Sequence, residues 1–204
     1  IIVNPERMAA TEISRLLRFP TAMNIEGFCG GRVEIVEFRA KEDDPFIGMS
    51  LIDVSAKLLR KTPVLFCAVV RGDEAFIPNG SSVLKPGDFV YVLGEVSRIT
   101  AFFKNMGRKD EYMRNIMIIG GGRTSYYLGR IISKLGMKVC VIEKNQAKCE
   151  ALSELLPNAL VLHGDGSDQE LLDSEGIAGM DAFVTLTSQD EVNLISSMYA
   201  NHCN

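Results

Sequence analysis

The chain has 204 residues, 47% hydrophobic, 24% charged and 7% aromatic, a mix that excludes wholesale disorder and is long enough to bury a core without disulfide staples. Its longest apolar runs, such as residues 64–70, fall far short of the ~20 residues that cross a bilayer as a helix. The net charge of −4 divides unevenly: residues 1–110 hold 15 Lys and Arg against 14 Asp and Glu, and residues 111–204 hold 7 against 12, so neither part has the basic excess that nucleic-acid binding requires.

The opening Ile1-Ile2-Val3 reads as the end of a buried strand, which predicts that the chain starts inside a fold. Asn4-Pro5 is a helix start, because Asn caps free N–H groups and Pro is tolerated at the first helical position. The helix should run to about Arg18, with Met8, Ile13, Leu16 and Leu17 as its apolar stripe, and stop at Phe19-Pro20. Residues 1–28 are therefore expected to be the closing end of one domain.

Residues 32–39 alternate apolar and charged side chains, the mark of a half-buried strand. Leu51, Ile52, Val54, Leu58 and Leu59 have helical spacing and end before Pro63. Residues 64–71 form a second strand, Gly72-Asp73 a tight turn, and residues 75–77 the returning strand of a hairpin. Lys85-Pro86-Gly87-Asp88 is a further turn before a strand at 89–93. Residues 32–97 thus read as a small α+β module, followed over 98–112 by a closing helix and a charged linker at 107–111.

From 113 to 204 the pattern becomes strand and helix in strict turn: strands at 115–119, 138–142, 159–162 and 182–187, and helices at 125–135, 146–155 and 168–172. Ser188-Gln189-Asp190-Glu191 has the spacing of a capping box, which starts a last helix. Such an order implies an α/β fold with a doubly wound parallel sheet and right-handed crossovers.

Five cysteines without CxxC spacing read as reduced thiols, and His163 and His202 lack a second ligand at metal spacing, so no metal site is expected. Gly120-Gly121-Gly122-Arg123-Thr124-Ser125 lies between a strand and a helix. Gly120 suits the tight turn, and Gly122 lets a pyrophosphate approach the N–H groups at the helix N-terminus. Ser125 stands where a third glycine normally allows close helix–strand approach. Glu143 ends the second strand, where a carboxylate hydrogen-bonds an adenosine ribose and repels a 2′-phosphate; the alternative is a solvated Glu paired with Lys144 or Arg123. Asp165, in the turn after the third strand, has the adenine amino group or a purely turn-forming role open to it. Thr185 and Thr187 end the fourth strand, near the second sugar or the phosphates, or serve as a helix cap. No acid/base pair for hydride transfer is visible, so an NAD-dependent oxidoreductase is the alternative to a non-catalytic reading.

Taken together, Gly120-Gly121-Gly122, Glu143, Gly164-Asp165-Gly166-Ser167-Asp168 and the run from Thr185 to Asn193 resemble the RCK_N (KTN, TrkA_N) nucleotide-binding domain, a Rossmann-like fold. Gly48-Met49-Ser50-Leu51, Gly72-Asp73-Glu74-Ala75-Phe76-Ile77-Pro78 and Leu84-Lys85-Pro86-Gly87-Asp88 resemble its companion RCK_C module. The order is similar to the middle of a tandem-repeat potassium-uptake regulator: the tail of one RCK_N domain, an RCK_C module, and a second RCK_N domain at 113–204. The resemblance implies a non-enzymatic cytoplasmic subunit, peripheral to the inner membrane, docked on a membrane-embedded Trk/Ktr-type potassium channel. It also implies a homo-oligomer, a dimer or tetramer, whose ring rearranges when NAD(H), or ATP/ADP, binds. Carried over by position, Gly120, Gly121, Gly122, Arg123 and Thr124 would hold the phosphates, Glu143 the ribose, Asp165 the adenine side, and Thr185 and Thr187 the remaining sugar or phosphate. Ser125 departs from the family's glycine.

Overall fold

The computed structural model describes residues 4–20, 22–29, 32–60, 62–106 and 113–203. The expected opening strand at 1–3 and the linker at 107–111 lie outside them. The chain divides into two compact units, one of residues 18–112 and one of residues 1–17 with 113–204.

Helix α1 (Pro5–Arg18) starts as expected, with Asn4 Oδ1 accepting the Arg7 N–H at 2.9 Å. Its buried face differs from the expected stripe. Ala10, Ser14 and Leu17 are buried, whereas Met8 and Leu16 are 59% and 67% exposed.

The unit of residues 18–112 is built on an antiparallel sheet of order β1-β2-β5-β3-β4. Its strands are β1 (Ala22–Phe28), β2 (Val33–Arg39), β3 (Leu65–Arg71), β4 (Glu74–Phe76) and β5 (Phe89–Glu95), with helices α2 (Leu51–Lys57) and α3 (Val96–Asn105). Alternation buries Val36 and Phe38 of β2 and Val90 and Val92 of β5, and they join Phe46, Phe66, Leu84, Ile99, Phe102 and Phe103 in one aromatic-rich core. Phe38 meets Phe103 edge to face with ring centroids 5.1 Å apart, a geometry that adds to simple area burial. At the hairpin, Arg71 opposes Glu74 and Gly72 takes φ +59°, as the turn between them demands. Strand β1 lies within the stretch assigned above to residues 1–28, and its pairing with β2 makes it part of this sheet. It is an edge strand in which Ala22 and Ile25 alone are half-buried and the rest are exposed, so burial does not alternate along it.

The other unit holds a parallel sheet of order β8-β7-β6-β9, made of β6 (Asn115–Ile119), β7 (Lys138–Glu143), β8 (Ala159–His163) and β9 (Ala182–Thr185). Helices α4 (Arg123–Lys134), α5 (Gln146–Leu155), α6 (Gln169–Ser174) and α7 (Asp190–Cys203) connect or follow them. Strand β6 is central and buried from Ile116 to Ile119. Met117, Ile119, Cys140 and Ile142 share one face with Leu172, Ile177 and Ala200, while Ile116, Ile118, Val139 and Val141 are buried on the other, as a sheet covered on both faces requires. The α/β class and doubly wound order match the sequence expectation. Because β6 lies between β7 and β9, the chain leaves its carboxyl end in opposite directions, and ligands of open α/β sheets bind at such a reversal. The expected capping box at Ser188 and Glu191 is replaced by bonds between Thr187 and Asn193, because strand β9 ends at Thr185 and leaves Thr187 free to enter the turn.

Candidate functional site

At that reversal lies a cavity of about 520 Å³, within the range of ~300–1,000 Å³ common for small-ligand sites. Its floor is the glycine turn after β6. Gly120 has φ +99°, and a Cβ there would stand 2.8 Å from the Leu186 carbonyl oxygen, so glycine is required on both counts. Its N–H donates to Ile142 O at 2.8 Å, and the Leu186 N–H donates to Ile119 O at 2.8 Å, which ties the turns after β6 and β9 to the sheet. Gly122 differs in kind. It caps α4 with φ −74°, and a Cβ on it would meet nothing within 4 Å, so the space beside this helix N-terminus is open for a ligand.

Ser125 is fully buried, and its hydroxyl donates to Gly120 O. Serine in place of the third glycine is thus accommodated by a hydrogen bond that satisfies its one donor inside the helix–strand contact.

Glu143 pairs with neither Lys144 nor Arg123. Its Oε2 accepts the Gly121 N–H at 2.5 Å and its Oε1 accepts the Asn145 N–H at 2.7 Å, and the residue, about 9% exposed, lines the cavity. It therefore joins the glycine turn to the β7–α5 turn, and each oxygen keeps a second lone pair for a ligand hydroxyl.

Asp165 takes the turn-forming role and adds an ion pair to it. Its Oδ1 accepts the Ser167 N–H at 3.0 Å and hydroxyl at 2.7 Å, forming the turn, while its Oδ2 lies 2.7 Å from Lys144 Nζ. The Lys144 hydrogen bond, with those from Ser167, holds its carboxyl down at about 2. Asp168 performs the capping, accepting the Glu170 and Leu171 N–H groups of α6. His163 Nε2 lies 2.9 Å from Lys144 O and so braces the same β7–α5 turn.

Of the nine residues expected at the site, Gly120, Gly121, Gly122, Glu143, Asp165 and Thr187 line the cavity together. Arg123, Thr124 and Thr185 are not in its lining. Arg123 is 84% exposed and 3.7 Å from Glu6 of α1, and the Thr185 hydroxyl faces Ser197 of α7 at 3.2 Å. Thr187 is held by Asn193, whose Oδ1 accepts both the Thr187 N–H and its hydroxyl. Lys148 and Gln189 also line the cavity and were missed. The signal for Lys148 was its place in the first turn of α5, the helix that follows Glu143. Among the described residues no cluster of His, Cys, Asp or Glu suited to a metal ion is found, and no helix is long and apolar enough to cross a membrane.

A glycine turn, a strand-end carboxylate and a cavity at the reversal of a parallel sheet define a Rossmann-type α/β domain, here accompanied by a small antiparallel α+β domain. Residues 116–204 match the TrkA-N domain and residues 35–107 the TrkA-C domain, so the chain holds one domain of each kind. It is 32% identical over 201 residues to a Trk system potassium uptake protein TrkA homolog 2 from Methanosarcina mazei. It is 30% identical over 203 residues to the Trk system potassium uptake protein TrkA of Haemophilus influenzae. Each alignment covers 98% of this chain but only 44% and 43% of the relative, so the chain spans less than half of those proteins. Among solved structures, the GsuK RCK domain superposes with a TM-score of 0.54 at 19% identity, over 98% of this chain and 42% of that one. A GsuK channel bound to NAD gives the same score and identity over 35% of its chain. These likenesses show the RCK fold.

Proposed function

We propose that this chain is the nucleotide-sensing part of a regulator of potassium uptake, and that its cavity binds NAD(H), with ATP or ADP as the other candidates. The observation that carries the reading is Glu143: a buried residue at the end of β7, its carboxylate hydrogen-bonded to Gly121, lining a cavity that also takes in the open Gly122 corner. This arrangement suits an adenosine ribose at Glu143 and phosphates at the N-terminus of α4. The second part of the chain is acidic, so the phosphates are attracted by local groups rather than by net charge: the first-turn N–H groups of α4, with Lys144 and Lys148 in the lining. Thr187 meets the remaining sugar or phosphate. Arg123 and Thr124 open helix α4, with the Arg123 side chain exposed at its N-terminus. The names of the relatives, and the NAD-bound GsuK channel of the same fold, support the reading.

In this account the chain is a cytoplasmic regulatory element, with no catalytic step of its own. It belongs to a homo-oligomer on a membrane-embedded potassium channel subunit. Nucleotide acts on transport only through its different affinities for two arrangements of that assembly. The direct test is titration calorimetry of NADH, NAD and ATP. A charge-assisted hydrogen bond of about 1.5–3 kcal/mol at Glu143 translates into an affinity loss of roughly 10- to 150-fold in Glu143→Ala. Unchanged binding by that variant would place the nucleotide elsewhere.

A further inference from the structure

Helix α7 is turned the opposite way from an ordinary amphipathic helix. It buries Ser196, at 1% exposure, and Ala200, while Leu194, Ile195 and Met198 are 63%, 56% and 64% exposed. A helix placed for core formation would turn those three inward. The inner face instead makes polar bonds to the cavity walls. The Ser196 hydroxyl donates to Gly166 O at 2.8 Å in a buried contact. One helical turn earlier, Asn193 Oδ1 accepts from the Thr187 N–H and hydroxyl, and its Nδ2 donates to Thr187 O at 3.1 Å.

Gly166 and Thr187 belong to two different turns that both line the cavity. The Gly166 turn has no slack beneath it, since a Cβ there would fall 2.0 Å from Ile119 Cγ2. The turn after β8 is therefore held between the end of β6 and the Ser196 hydroxyl, and the turn after β9 is held by Asn193. Tyr199, whose hydroxyl lies 2.7 Å from Asp173 Oδ1, fixes α7 to α6 as well.

We propose that Ser196 is a positioning residue of the nucleotide site, and that α7, through Ser196 and Asn193, registers whether the cavity is filled. The proposal rests on the nucleotide reading above. A nucleotide that settles against Asp165, Gly166 and Thr187 stiffens both turns, and the bonds at 193 and 196 pass that stiffening to the helix.

Hydrogen exchange of the α7 amides, followed by mass spectrometry on the full chain with and without saturating NADH or ATP, tests it. In the wild type, ligand should slow exchange across residues 194–203 at least threefold. Ser196→Ala, saturated with the same ligand, should bind about tenfold more weakly and lose that slowing. Ser196→Cys keeps the size but offers a weaker donor, and should fall between the two; it serves in place of Ser196→Ala should the alanine variant not fold. Wild-type affinity and wild-type protection in these variants would overturn the proposal while leaving nucleotide binding intact. Absence of binding to the wild type would remove the nucleotide reading, and the proposal with it.

Discussion

Replacing Gly120 by alanine tests the geometry of the site floor. At φ +99° an L-residue carries backbone strain of roughly 1–3 kcal/mol. The new Cβ would also lie 2.8 Å from Leu186 O, 3.0 Å from its carbonyl carbon and 3.1 Å from Thr187 N. All three are backbone atoms, so relief requires the turn after β9 to shift, which costs a further ~1–3 kcal/mol. Gly120→Ala should therefore lose roughly 2–6 kcal/mol. Gly122→Ala is the control, because its φ is −74° and its Cβ position is open; it should stay within about 1 kcal/mol of the parent. Urea unfolding, with midpoints and slopes compared, measures both. Equal midpoints for Gly120→Ala and the parent would refute the placement of Leu186 over the glycine turn.

Other outcomes follow from single contacts. Ser125→Gly should bind nucleotide like the parent, whereas Ser125→Val, which adds bulk and removes the donor to Gly120 O at a fully buried position, should destabilise the fold by about 2 kcal/mol or more in the same unfolding assay. The Asp165 carboxyl is held at about 2 against an ordinary 3.8, chiefly by Lys144. The ionised form is thus favoured by folding, so its contribution is complete above about pH 4 and is lost as the pH falls toward 2. The pair is exposed, so this step in an acid titration of stability should be small, shrink in about 1 M salt and vanish in Asp165→Asn. Iodoacetamide labelling at pH 8, read by peptide mass, should reach exposed Cys29 first and Cys140 last, since burial, with a smaller effect from Glu175, pushes the Cys140 thiol up to about 11.

The parallel unit was legible because its strands are short apolar runs, the first three with a glycine, asparagine or aspartate turn after them, and because Glu143 stands at a fixed distance from the glycine turn. Strand β1 was not legible: only Met23 to Glu26 alternate before Gly27, its burial does not follow that alternation, and the strand exists through its pairing with β2. The face of α1 was misjudged, and that of α7 was not readable, for a shared reason. Hydrophobicity alone would bury Leu16 and Leu194, whereas the fold turns Ala10 and Ser14, or Ser196 and Ala200, inward. Small side chains allow close approach, and serine hydroxyls find acceptors that only the tertiary structure supplies. Within the site, the glycines and carboxylates were readable from spacing. The contacts that set their roles were not, because Lys144 with Asp165 and Asn193 with Thr187 depend on where separate turns meet at the sheet edge.

Calorimetric titration of NADH, NAD and ATP into the wild type and Gly122→Asp tests the central claim most directly. Aspartate is a favoured helix cap, and the Gly122 position has room for it, so the variant should fold as well as the parent while placing a carboxylate where phosphates belong. The account predicts binding of an adenine nucleotide by the wild type and none by Gly122→Asp at an unchanged unfolding midpoint. Equal binding of every nucleotide by the two proteins, or no heat from any of them with the wild type, would contradict it.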